Sequence, residues 1–79
     1  MSFLVSACVL IRTTHGRYGE VVERIRQFKE VEKVFPVLGR WDAVASVEAR
    51  DYQTLGALVV RMGRLSGVVF TETLVEIET

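Results

Sequence analysis

Apolar and polar residues alternate along this chain with two periods, and the order in which the periods change predicts its elements. Over residues 3–12 the period is two: Phe3, Val5, Ala7, Val9 and Ile11 point one way, and Leu4, Ser6, Cys8 and Leu10 the other, as in a β-strand. Both sets are largely apolar, so this strand belongs at the centre of its sheet with cover on each side. Thr13-Thr14-His15-Gly16 breaks the strand, and over residues 17–29 the spacing becomes helical, with Tyr18, Val21, Val22, Ile25 and Phe28 forming one stripe. Glu20 and Arg24, and Glu23 and Gln27, lie four apart on the solvated side. Residues 31–38 read as a second strand, placed at an edge because Pro36 has no N–H for the ladder. Gly39-Arg40-Trp41-Asp42 interrupts it, and residues 43–49 return as a third strand, so the pair reads as a hairpin in which Gly39 supplies the backbone freedom. Ala43, Ala45 and Val47 are small enough to admit a close-packed helix or a neighbouring subunit.

Asp51 suits the N-cap of a second helix over residues 52–65, where Leu55, Leu58, Val59, Met62 and Leu65 make the apolar stripe, weakened modestly by Gly56 and Gly63. Ser66-Gly67 ends it. A last strand over residues 68–78 puts Val69, Thr71, Thr73, Val75 and Ile77 on one face, with Glu72, Glu76 and Glu78 among Phe70 and Leu74 on the other, a mixture that suits a rim. The order is therefore βαββαβ. With right-handed crossovers it predicts an α+β ferredoxin-like sandwich: a four-stranded antiparallel sheet, first and third strands central, with two helices on one face. No linker or repeat divides the chain, and residues 1–79 are expected to form a single domain. Two helices cover only one face of the sheet, yet the first strand is apolar on both. The bare face is expected to meet its equivalent on a second copy.

Composition strengthens that expectation. Seventy-nine residues with a 49% hydrophobic content hold more apolar surface than a chain this short buries alone. One Cys and one His leave neither a disulfide nor a structural metal as support, so self-association remains. Ten basic and ten acidic residues cancel, giving no overall pull toward nucleic acid or anionic lipid. Cys8 in an apolar strand reads as a buried, inert thiol compatible with a reducing cytoplasm. No basic leader and no run near the ~20 apolar residues of a membrane span are present, so a soluble cytoplasmic protein is expected.

Catalytic chemistry is hard to assemble. The sequence has no Gly-rich phosphate loop, no Cys–His pair and no metal-ligand spacing, and His15 stands alone with a loop or helix-entry role. Neither enzymatic activity nor a cofactor is expected. A binding site is easier to build, because a free amino acid needs donors for its carboxylate, acceptors for its ammonium and a shaped wall. In the turn, Gly39 admits close backbone approach, Arg40 donates, Trp41 is a wall and Asp42 accepts. Thr71 and Thr73 share a strand face and add two hydroxyls, although β-branched Thr also simply suits a strand.

The same segments carry a resemblance. The Gly-Arg-Trp-Asp turn between apolar strands resembles the Gly-x-aromatic-Asp signature of the effector-binding (RAM) domain of the Lrp/AsnC transcription regulators. Residues 9–13 (VLIRT), 16–25 (GRYGEVVERI) and 67–75 (GVVFTETLV) agree in order, the last with the family's Thr-x-Thr. The resemblance implies an amino acid or similar effector bound between dimers by Gly39, Arg40, Trp41, Asp42, Thr71 and Thr73. It also implies a homodimer assembling into a ring and a full-length relative as a possible regulatory partner. Leu38 and Arg40 stand where members often have Thr and an acidic or small polar residue, so a hydroxyl is lost and a cation gained; His15-Gly16 replaces a frequent Pro-Gly. Full regulators carry an N-terminal helix-turn-helix, whereas here the strand follows Met1 at once, which resembles a stand-alone form that does not itself read DNA. Two rivals are a small dimeric ferredoxin-like barrel enzyme with His15 or Asp42 as base, and a purely structural assembly module.

Overall fold

The computed structural model describes residues 4–77, so the expectations placed on Phe3 and Glu78 lie outside it. Strand β1 (Val5–Thr13), helix α1 (Tyr18–Ile25), strands β2 (Val31–Pro36) and β3 (Ala43–Ala49), helix α2 (Tyr52–Gly63) and strand β4 (Val68–Val75) follow in the anticipated order. The sheet runs β2-β3-β1-β4 with every neighbouring pair antiparallel, the ferredoxin-like arrangement. Pro36 sits on the edge strand β2, where its missing N–H costs no ladder bond.

Register decides which residues face the helices. Val9 pairs with Ala45 and Thr73, and Ile11 with Ala43 and Thr71. Val9, Ile11, Ala43, Ala45 and Val47 have no accessible surface, and neither do Val21 and Ile25 of α1 or Leu58 and Met62 of α2. The short side chains of β3 thus let both helices settle onto the middle of the sheet, and burial of this cluster is the main source of stability.

Each helix stops earlier than its apolar spacing suggests. After Ile25 the N–H groups of Gln27 and Phe28 donate three residues back, to Arg24 and Ile25, at 3.2 and 3.1 Å. This tighter turn keeps Phe28 against the core without extending α1. Leu65 likewise donates to Met62 beyond the end of α2. Asp51 caps α2 as expected, its Oδ1 accepting from the Thr54 N–H at 2.7 Å, and the Thr54 hydroxyl and N–H hold its carboxyl below the usual value. On α1, Glu20 pairs with Arg17 in the first turn.

Among the described residues, no helix covers the other sheet face. It carries Cys8, Leu10 and Arg12 from β1, Val44, Ser46 and Glu48 from β3, and Phe70, Glu72 and Leu74 from β4, as their pairing shows. Cys8 is exposed in the chain, a correction to the buried thiol expected from local pattern: an apolar strand is covered only where another element exists to cover it. Near one end of this face the Ser6 hydroxyl donates to Glu48 Oε2 at 3.3 Å, and repulsion from Glu48 holds the Glu32 carboxyl above its ordinary value.

Candidate ligand-binding site

The loop joining β2 and β3 is held by backbone and side chain together. Val37 N–H donates to the Asp42 carbonyl at 3.0 Å, and Asp42 N–H to the Ile11 carbonyl at 2.9 Å, so the loop is stitched both to itself and to β1. Gly39 turns the chain with φ +146°, in open space. The Arg12 guanidinium donates to the Arg40 carbonyl at 2.6 Å. Asp42 Oδ2 accepts from the Thr13 N–H at 2.7 Å and lies 3.4 Å from the Thr13 hydroxyl.

These contacts send the four predicted turn residues in different directions. Trp41 stacks on Phe70 of β4, ring centroids 5.9 Å apart and planes 15° from parallel, with Arg12 Cζ 5.7 Å from the Trp41 centroid. That places the indole on the uncovered side of the sheet. Asp42 instead turns to the end of β1, beside a pocket of 340 Å³ lined by Tyr18, Pro36, Val37, Leu38 and Asp42. Arg40 is exposed, and among the described residues its side chain has no hydrogen bond or ion pair. Thr71 and Thr73, half-buried, pair with Ile11 and Val9 and so lie on the helix-covered side. Within one copy, then, Gly39, Arg40 and Asp42 gather at the hairpin, Trp41 turns to the uncovered face, and the two threonines lie on β4, across β1 from the hairpin.

Tyr18, Val37 and Leu38 also border the pocket, and the sequence pattern did not single them out as ligand residues. Leu38 had a signal: a large apolar residue before a turn glycine, and here it is fully exposed. The pocket so joins one carboxylate with an oxygen to spare to an apolar lip, while the free cation of Arg40 stands in the same turn but does not line it. His15 is exposed and makes no side-chain hydrogen bond among the described residues. Among those residues, no group of three or more His, Cys, Asp or Glu side chains is placed to hold a metal, and no helix is long and apolar enough to cross a membrane.

A family model described as "Lrp/AsnC ligand binding domain" matches residues 6–79. This chain belongs to the Lrp/AsnC ligand-binding domain family. An HTH-type transcriptional regulator, FL11 of Pyrococcus abyssi (strain GE5 / Orsay), is 24% identical over 79 residues, all of this chain and 52% of the relative. The chain thus spans about half the length of the curated relatives it matches. Among solved structures, TTHA0845 from Thermus thermophilus superposes with a TM-score of 0.90 at 34% identity, covering 95% of both chains. AsnC of E. coli superposes with a TM-score of 0.88 over 95% of this chain and 52% of its own; at 17% identity that likeness concerns the fold. As an Lrp/AsnC ligand-binding domain, the chain is related to transcription regulators, and its βαββαβ sandwich is that of its structural neighbours.

Proposed function

We propose that this Lrp/AsnC domain senses a small effector, a free amino acid in the simplest case, and couples its binding to self-assembly. The observation that carries this reading is the 340 Å³ pocket at the hairpin, lined by the fully exposed Leu38 and by Asp42, with the unpaired Arg40 between them in the turn. A fully exposed leucine beside an open pocket is unfavourable in water, and a second copy closing over it would bury both leucine and ligand. Dimerisation through the uncovered sheet face, with further dimers closing a ring, would bring the hairpin of one copy toward surfaces of another, including its Thr71 and Thr73. Output would pass through partners, a full-length relative among them, in the cytoplasm, without direct DNA contact by this chain and without catalysis.

One observation favours a second reading, a structural assembly module with a vestigial pocket. Asp42 Oδ2 is already taken by the Thr13 N–H, so the carboxylate has a structural use that needs no ligand. Native mass spectrometry without and with the common amino acids, followed by calorimetry, separates the two. A ligand-dependent change of mass distribution or a saturable heat supports sensing. An unchanged assembly with no heat for any amino acid supports the structural module.

A further inference from the structure

The hairpin pocket is one-sided in charge. Tyr18, Pro36, Val37, Leu38 and Asp42 line it, so it holds one carboxylate and no Lys, Arg or His side chain. Asp42 Oδ2 accepts from the Thr13 N–H, while Oδ1 accepts from no group among the described residues. Oδ1 is also open to a ligand. Among the described residues the one side-chain polar atom both buried and unpartnered is Glu30 Oε1, so Asp42 Oδ1 keeps accessible surface. The cations of adjoining segments are engaged elsewhere. Arg12 donates to the Arg40 carbonyl, Arg17 pairs with Glu20 and donates to Ser66, and Lys33 lies 5.2 Å from the Phe35 ring centroid. The N–H groups of Val37 and Asp42 are spent on the carbonyls of Asp42 and Ile11, and Pro36 has none.

A free amino acid carries its ammonium and its carboxylate on one carbon, so seating the ammonium on Asp42 brings the carboxylate into the same pocket. There it would lose water beside a like charge and an apolar wall, with no cation lining the pocket to offset the loss. Thr71 and Thr73, which assembly would bring from a second copy, offer hydroxyls and no charge. A molecule without the carboxylate avoids that cost. Its ammonium donates to Oδ1 in a charge-assisted bond, and its hydrocarbon body covers Pro36, Val37 and the exposed Leu38 beside the Tyr18 ring. The volume of 340 Å³ is at the low end of the range of about 300–1,000 Å³ for small-molecule sites and suits a small body. We propose that the hairpin pocket binds a small primary amine with a branched or aromatic hydrocarbon body and no carboxylate. Such a ligand presupposes the sensing role given to this pocket and narrows its effector from amino acids at large to amines.

Calorimetry on the full chain tests this with two matched sets: 3-methylbutylamine, L-leucine and 4-methylpentanoate, and 2-phenylethylamine, L-phenylalanine and 3-phenylpropanoate. Members of a set share a hydrocarbon body and differ in carrying the ammonium, both charges or the carboxylate. At least one amine should bind about tenfold or more tighter than its amino acid, and its carboxylate counterpart should give no heat at about 10 mM. Asp42→Asn, which keeps an oxygen for the Thr13 N–H, should weaken the amine by a similar factor. Amide chemical shifts should move at residues 13, 18 and 37–42. An amino acid that binds at least as tightly as its amine would overturn the proposal while leaving amino-acid sensing in place. Silence of both amines at about 10 mM would overturn it too; if the amino acids are silent as well and the assembly does not respond to them, the sensing role falls with it. The comparison within each set uses the unaltered protein, so it stands even if the Asn variant folds poorly.

Discussion

Asp42 and Thr13 lie 29 positions apart in the chain, and the carboxylate of one receives the backbone N–H of the other at 2.7 Å. Thr13 is buried at the end of β1, beside the irregular step in its pairing with β4. Its N–H therefore has little access to water, and Asp42 stands in for a missing sheet partner. Asp42→Ala should cost about 1–3 kcal/mol, the usual range when a buried donor loses its acceptor. Asp42→Asn, which keeps a side-chain oxygen, should cost less in urea unfolding. If Asp42 also holds a ligand ammonium, Asn should lose ligand affinity out of proportion to its small loss of stability, which separates the two roles.

That double duty marks the limit of what the sequence discloses. Alternation in β1, the proline of β2, the small residues of β3 and the cap at Asp51 each report on neighbours close in the chain, and all four lead to the observed sandwich. The site depends on contacts distant in sequence. Nothing local to Gly39-Arg40-Trp41-Asp42 says that Trp41 reaches β4 while Asp42 turns to β1. The exposure of Cys8 is equally invisible, because it depends on which elements the fold brings together and which it leaves bare.

Trp41 is the single tryptophan, so its emission reports on the hairpin alone. Phe70 is exposed over much of its surface, and stacking against it shields one side of the indole. Phe70→Ala should shift the emission to longer wavelength with a modest loss of stability, about 0.5–1.5 kcal/mol beyond the area term as an upper range for such a pair. An effector seated at the hairpin should change the same emission on titration.

Gly67 has a sharper steric requirement than Gly39. Its φ is +97°, and a Cβ there would come within 2.9 Å of Val21 Cγ2, in the packed layer between α1 and the start of β4. Gly39, at φ +146°, would place its Cβ in open space. Gly67→Ala should therefore combine backbone strain of roughly 1–3 kcal/mol with displacement of Val21, and Gly39→Ala should show the strain alone. Urea midpoints of the two variants, measured side by side, should rank Gly67→Ala as clearly the less stable.

Glu32 supplies a pH dependence with a definite sign. Repulsion from Glu48, with smaller help from desolvation, raises the Glu32 carboxyl above its ordinary 4.5 in the folded protein. A folded carboxyl that binds its proton more tightly than the unfolded one loses stability as pH rises through the interval above 4.5, and is neutral in effect below it. Glu32→Gln removes the repulsion. The variant should be more stable than the natural chain at pH 7, and the difference should close as pH falls toward 4.5 and below, read from urea midpoints at fixed protein concentration.

The uncovered face offers the most direct test of assembly. Leu10 stands near its middle on the central strand β1, opposite Val44 on one side and Glu72 on the other, and is only half-buried in the single chain. A charge at this position touches none of the helix-facing core, so Leu10→Glu should leave the sandwich folded, with circular dichroism like that of the natural chain. If two copies meet through this face, the variant places like charges in a desolvated contact that has no partner for them, which is strongly unfavourable. Light scattering should then show the natural chain as a dimer or larger ring and Leu10→Glu as a monomer. An equal mass for both would put the contact elsewhere, and a monomeric natural chain would leave the face open to water.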